Sequence, residues 1–313
     1  MGLSGLLTAC GASSPGRLQQ LSPALPVASY PATSWQASMN EPLETNKNAV
    51  YAGISEVLWQ ADREMPDRLR FDEQLEHTLH EEKKGELLLD ASLKLDFRFE
   101  PHFEYRPFSV YFDGMPVKAF GMSANTFEQL HSHIEIQRYR DDKHFIIELR
   151  STDRTQQILL YKTDKPYATL AEMYADLQNE MQHGRSDVTL PERQHNYFLQ
   201  PIDQVAIPRI NLAAEVFYPQ LRGKMIPFQN KTGRLGKVRQ NIAFLLNETG
   251  AKLATSNTVE QIDTGSIVIN GDVSPKNFTL DSAFYVVVRK RVDGALPYLV
   301  LWVENSELLE LEE

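Results

Sequence analysis

From Leu89 to Phe99 the chain alternates, with Leu89, Ala91, Leu93, Leu95, Phe97 and Phe99 at one parity and Asp90, Ser92, Lys94, Asp96 and Arg98 at the other. A period of two held over this length is that of a β-strand with one face in a core and the other toward water. The chain is therefore committed to a sheet whose apolar face another layer must cover. The C-terminal part extends this reading, because Ala283 to Arg289 and Leu296 to Val303 are rich in β-branched, aromatic and other large apolar residues and flank Asp293-Gly294. Two such runs around an Asp-Gly pair predict a hairpin.

Further strands are predicted at Phe108 to Phe112, closed by Asp113-Gly114, and at Ile134 to Tyr139, His144 to Leu149, Gln157 to Tyr161, Gln204 to Ile210, Ala213 to Tyr218 and Asn241 to Leu246. Ala168 to Met181 reads as a helix. Between Ala49 and Lys84, apolar residues at Val50, Ile54, Val57 and Leu58, then at Leu69, Leu75 and Leu79, recur at helical spacing and predict two helices parted at Pro66. Strands dominate without strand-helix alternation, so the expected fold is α+β, with mainly antiparallel sheets and a small N-terminal helical part. No internal repeat is present.

Charge and cysteine usage exclude several classes. The 32 basic and 42 acidic side chains of the 313 residues leave a formal charge of −10, which removes the attraction that drives binding to phosphate backbones. Nucleic acid is not an expected partner. No apolar run reaches the ~18 residues of a membrane-spanning helix. A single cysteine permits neither an internal disulfide framework nor a cysteine-based metal knuckle. That cysteine, Cys10, lies in Leu7-Thr8-Ala9-Cys10-Gly11, which resembles the lipobox of bacterial lipoproteins. The resemblance implies acylation at Cys10, membrane attachment through a lipid alone, and a place in the bacterial cell envelope or outside the cell. The apolar part from Leu3 to Ala9 is short for a signal peptide, and the alternative is that Cys10 is an incidental thiol. Gly11 to Asn48, rich in Ser, Pro, Ala and Gln and without periodicity, reads as a tether, so residues 1–48 precede a single folded domain over 49–313.

Catalytic signatures are weak. There is no Gly-x-Ser-x-Gly elbow, and Gly233-Arg234-Leu235-Gly236-Lys237 lacks the glycine spacing and the hydroxyl residue of a phosphate loop. His131 and His133, with Glu135 continuing the row, would share one side of a strand, and His77 and His80 would share a face of a charged helix. Both pairs read as solvated groups rather than ligands. No metal, cofactor or catalytic role is expected, and the acidic end from Glu304 to Glu313 reads as a frayed tail.

The stretch after Asn241 to Leu246 has a distinctive order. Glu248-Thr249-Gly250-Ala251-Lys252-Leu253-Ala254 follows the strand with a glycine and small residues. A polar run from Thr255 to Thr264 comes next, then a short β-prone run at Ser266 to Ile269, and Phe278 leads into the final hairpin. This order resembles the hinge and reactive-centre loop of the serpin family. Arg106-Pro107-Phe108, Phe112-Asp113-Gly114, His144 to Asp164 and Ile207-Pro208-Arg209-Ile210-Asn211-Leu212 resemble other serpin elements in the same sequence order. The resemblance spans Leu87 to Val303. The helical region before Leu87 is smaller than in the family, and the segment between Tyr218 and Asn241 is compact.

The resemblance implies a monomeric inhibitor of serine or cysteine proteases. In that scheme a protease cleaves the exposed, mobile loop from Gly250 to Asn277, and the upstream part inserts as a strand in the central sheet. Glu248, Gly250, Ala251, Leu253 and Ala254 would then be the hinge. Counting seventeen residues from Glu248 places the scissile bond at Thr264-Gly265, which suits elastase-like or subtilisin-like enzymes. Insertion would bury Ala251, Leu253, Thr255, Asn257, Val259 and Gln261 on one face, none of them charged. Leu253 is larger than the residue inhibitory relatives favour there, which leaves a second reading open: a non-inhibitory binding protein of the same fold. A third is that the segment is an ordinary surface loop followed by a tight hairpin at Asn270-Gly271.

Overall fold

The computed structural model describes residues 33–36, 38–53, 75–83, 86–93, 95–228, 231–253 and 275–312. Three sheets carry the fold, which is α+β. The first has seven strands in the order β1 (Ser34–Gln36), β2 (Ala49–Ala52), β18 (Pro297–Val303), β17 (Phe284–Lys290), β10 (Gln156–Lys162), β9 (His144–Leu149) and β8 (Ile134–Asp141). Every pairing in it is antiparallel except β1 with β2.

Both faces of this sheet are covered. The long helix Leu170–Asp187 lays Leu170, Met173, Tyr174, Leu177 and Met181 on Ile146, Leu159, Tyr161, Tyr285 and Val287. That spacing is one face of a helix, and Thr169 starts it by accepting from the Glu172 N–H. The opposite face, with Ile147, Ile158, Leu160, Val286, Val288 and Leu301, packs on the other two sheets. Double coverage is why β10 and β17 read as nearly unbroken apolar runs.

The second sheet has the order β16 (Asn277–Thr279), β11 (Gln204–Pro208), β7 (Met115–Met122) and β6 (Glu104–Phe112). Its β6–β7 hairpin turns at Asp113 and Gly114, both at positive φ (51° and 78°), as the twist-matched two-residue turn requires.

The third sheet contains β3 (Leu75–Lys83), β4 (Glu86–Leu93), β14 (Lys231–Asn247), β15 (Gly250–Leu253) and β5 (Leu95–Arg98), with β12 (Ile210–Phe217) and β13 (Met225–Phe228) also on β14. The strand predicted from Leu89 to Phe99 is here as β4 and β5.

Several sequence expectations are corrected. Ala49–Ala52 and Leu75–Lys83 are strands, not helices, so His77 and His80 lie on β3. Leu75 and Leu79 are four apart, a spacing that satisfies helix and strand periods alike, and pairing with β4 decided between them. Ile54 to Leu69 lies outside the described residues. The tether cannot extend to Asn48, because β1 pairs with β2 and Gln36, Ser38, Met39 and Asn48 are buried. The acidic end is no frayed tail: Ser306, Leu308 and Leu309 are buried, and a 3-10 turn spans Ser306–Leu308.

Candidate functional site

The proximal root of the 254–274 segment is a hairpin within the third sheet. β14 and β15 pair from Phe244↔Leu253 to Asn247↔Gly250, so Glu248 and Thr249 form a two-residue turn. The Asn247 carboxamide oxygen accepts from the Thr249 N–H and hydroxyl at 2.9 and 2.8 Å, which holds the turn. The turn docks on the strip after β5: the Phe99 N–H donates to the Thr249 carbonyl and the Phe103 N–H to the Glu248 carbonyl, each at 3.0 Å. Ala251 is fully buried in the main core beside Phe97. A methyl at Gly250 would lie 2.0 Å from the Phe97 carbonyl oxygen, so the close approach of β15 to β5 depends on glycine.

Around this hairpin the sheet forks. On one edge β14 carries β12 and β13. Along its other edge it first meets β4 in parallel, from Arg234↔Glu86 to Asn241↔Ser92, and then β15 antiparallel. β5, which follows β4 in the chain, pairs with the far side of β15. β15 is thus a four-residue wedge between β14 and β5, and beyond it β4 and β14 close on each other.

Arg209 anchors the hairpin electrostatically. Its guanidinium contacts Glu248 at 2.5 Å and Glu310 at 3.4 Å and lies 4.6 Å over the Tyr105 ring. The Tyr105 hydroxyl donates to Glu312; burial first, then the charge of Glu312, pushes its pKa up and keeps it a donor. At the distal end, buried Lys276 pairs with buried Asp203 at 2.8 Å, and Phe278 packs against Tyr139 and Phe145. The 254–274 segment therefore joins β15 in the third sheet to β16 in the second.

Of the residues singled out from sequence, Glu248, Gly250, Ala251 and Leu253 come together in this hairpin. Gly250 to Leu253 therefore belongs to a sheet rather than to an exposed loop, which moves the start of any exposed segment to Ala254 or later. Ala254, Thr264, Gly265 and Cys10 lie outside the described residues.

The histidine pair of the sequence does not share a strand face. His131 and His133 form a 3-10 turn ahead of β8: His131 stacks on Phe127, and buried His133 meets the Arg150 carbonyl, while Glu135 pairs with Arg150. Among the described residues no group of three or more His, Cys, Asp or Glu is arranged to hold a metal ion. Arg209, Glu310 and the Lys276–Asp203 pair were missed, since their partners lie 39, 101 and 73 residues away, beyond any local spacing rule.

No protein-family profile matches the chain, and no curated protein sequence matches it. Among solved structures it is similar to thyroxine-binding globulin in complex with thyroxine, at 9% identity and TM-score 0.40 over 72% of this chain and 58% of that one. It is also similar to native protease nexin-1 with heparin (15%, TM-score 0.39, 80% and 65%) and to a serpin from the trematode Schistosoma haematobium (11%, TM-score 0.37, 70% and 56%). The likeness is to serpins. The chain spans between about half and two thirds of the length of these structures.

Proposed function

We propose that this chain is a serpin-type protein whose 254–274 segment serves as protease bait and whose β15 is the leading end of an inserting strand. The supporting observation is the register of the fork. Leu253 lies opposite Phe244 on one side and Leu95 on the other, and both pairings run antiparallel. Carried forward three residues, each register brings Ser256 to the same place, opposite Asn241 and opposite Ser92. Those two residues now pair with each other. Each further residue of the segment must therefore separate another β4·β14 pair and replace it with two antiparallel ones. Zipped to Arg234 and Glu86, the insertion ends close to Asp263, beside Thr264-Gly265, where the sequence resemblance puts the scissile bond.

Ala251 already faces the core, so the same parity assigns Leu253, Thr255, Asn257, Val259 and Gln261 to the buried face of an inserted strand. Asn257 and Gln261 would each cost about 1–3 kcal/mol if left without partners there. The gain comes from new ladder hydrogen bonds and from relief of the forked seam.

Incubation with pancreatic elastase or subtilisin tests the proposal. The expected outcome is cleavage within 254–274, a covalent complex that survives boiling in detergent, and a higher melting temperature for the cleaved protein. Cleavage with neither complex nor gain in melting temperature overturns insertion and leaves a binding scaffold of the same fold. The lipid anchor at Cys10 and an envelope location belong to the same proposal and rest on the Leu7–Gly11 sequence; loss of radiolabelled palmitate incorporation in Cys10→Ala is the matching test.

A further inference from the structure

The last residues of the described chain lie against the root of the loop. After β18 ends at Val303, Asn305 caps the 3-10 turn by accepting from the Glu307 N–H at 3.0 Å, and Leu308 and Leu309 enter the core. The chain then runs as a short strap between two sheets. Leu309 bridges Ile210 at the start of β12, and Leu311 bridges Val117 of β7. The Glu310 N–H donates to the Arg209 carbonyl at 3.1 Å, and the Lys118 N–H donates to the Glu310 carbonyl at 2.8 Å. The Glu312 N–H closes the seam on the Pro116 carbonyl at 3.1 Å.

The side chains of this strap converge on Arg209. Glu310 meets one terminal nitrogen of the guanidinium, and Glu248 in the loop root takes the other. Glu312 receives the hydroxyl of Tyr105, whose ring lies under the same guanidinium. The strap thus fixes Arg209 on two sides. Its hold on Glu248 is a single point: Arg209 Nε and Glu248 Oε2 are both buried and without a hydrogen-bond partner among the described residues. A guanidinium free to turn could grip a carboxylate at two points, and here Glu310 keeps it turned away from doing so.

We infer that the C-terminal strap is a latch on the hinge, with Glu310 acting through Arg209 to set how firmly Glu248 holds β15 in the third sheet. Glu310 is a positioning residue in this scheme and acts only through Arg209. The inference rests on the reading of β15 as the start of an inserting strand, and it gives that strand a control point elsewhere in the chain. Whatever draws the acidic C-terminal segment away from Arg209 alters the grip on the hinge.

Amide hydrogen exchange on the full chain tests the latch without any protease. Glu310→Gln keeps the backbone strap and the side-chain shape while removing the charge on Arg209. The expected result is exchange at Gly250–Leu253 slowed by about five- to tenfold, because Arg209 released from Glu310 can close on both oxygens of Glu248, a charge-assisted bond at a partly exposed site. Amides of Val238 to Leu246 in β14 should be unchanged. In a Glu248→Gln background the same substitution should have less than a twofold effect, because Arg209 no longer relays it. Two results overturn the latch: exchange at Gly250–Leu253 that is unchanged or faster in Glu310→Gln, or an equal change with and without Glu248. A uniform change through β14 counts against it as well, because it marks general destabilisation. These readouts stand apart from the detergent-stable complex, so the latch and the insertion proposal can fail separately.

Discussion

Gly250→Ala is the substitution on which the geometry of the hinge makes its sharpest demand. The added methyl would sit 2.0 Å from the Phe97 oxygen, 3.1 Å from the Phe97 carbonyl carbon and 3.3 Å from the Arg98 Cα. A carbon beside a carbonyl oxygen is comfortable near about 3.3 Å, so β15 and β5 would have to separate by roughly 1.3 Å. Strands normally ~4.8 Å apart would then stand about 6 Å apart, and N–H···O distances would pass beyond hydrogen-bond range. The ladder at stake runs from Gly250↔Arg98 to Leu253↔Leu95. At about 0.5–1.5 kcal/mol for each of the few bonds involved, its loss amounts to roughly 2–4 kcal/mol.

That cost falls on the wedge and spares the body of the sheet, because β14 keeps β4 and β12. The assay is hydrogen exchange followed by mass spectrometry. Peptides covering Glu248 to Leu253 and Phe97 to Phe103 should exchange between about 30 and 700 times faster in Gly250→Ala, at tenfold per 1.4 kcal/mol. The Phe99 and Phe103 amides should follow, since they donate to Thr249 and Glu248. An increase below threefold at both peptides would refute the reasoning, because the methyl would then have found room that the backbone approach denies it.

Two further predictions concern stability. Lys276→Ala removes one partner of a buried ion pair and leaves the Asp203 carboxylate without it, which costs about 3–5 kcal/mol; urea melts should show it, and Asp203→Asn should cost a comparable amount because it strands the buried Lys276 ammonium instead. For pH, burial holds the pKa of both His133 and His144 below the usual 6.5, with Arg140 adding to the effect at His144. The unfolded chain therefore takes up protons first, so stability is intact above pH 6.5 and falls as pH drops below that value and through the folded pKa. Urea midpoints at pH 7.5 and 5.5 should show that decline, and it should flatten in His144→Gln.

Much of the architecture was legible because it depends on local period. The alternation from Leu89 to Phe99, the runs of β10, β17 and β18, the Asp113-Gly114 turn and the helix through Met173 and Leu177 all followed from side-chain spacing. Where two periods agree, as at Leu75 and Leu79, spacing could not choose, and the partner strand β4 did. In the site, sequence read Gly250 to Leu253 as exposed loop because small and polar residues carry no strand signal, whereas Ala251 is buried in β15 before any cleavage.

By itself the sequence determined which residues could bury a face, where the backbone could turn and which parity of the hinge is apolar, since these follow from neighbours a few positions apart. Only the tertiary structure decided that β14 meets β4 in parallel and β15 antiparallel, that the sheet forks at Ser92 and Asn241, and that an acidic C-terminus becomes a strap. Such pairings join residues far apart in the chain, and they are selected by which faces remain to be covered once every element has packed. The loop that stood out by composition is thereby tied to Arg209 and Glu310, groups that no local pattern connects to it.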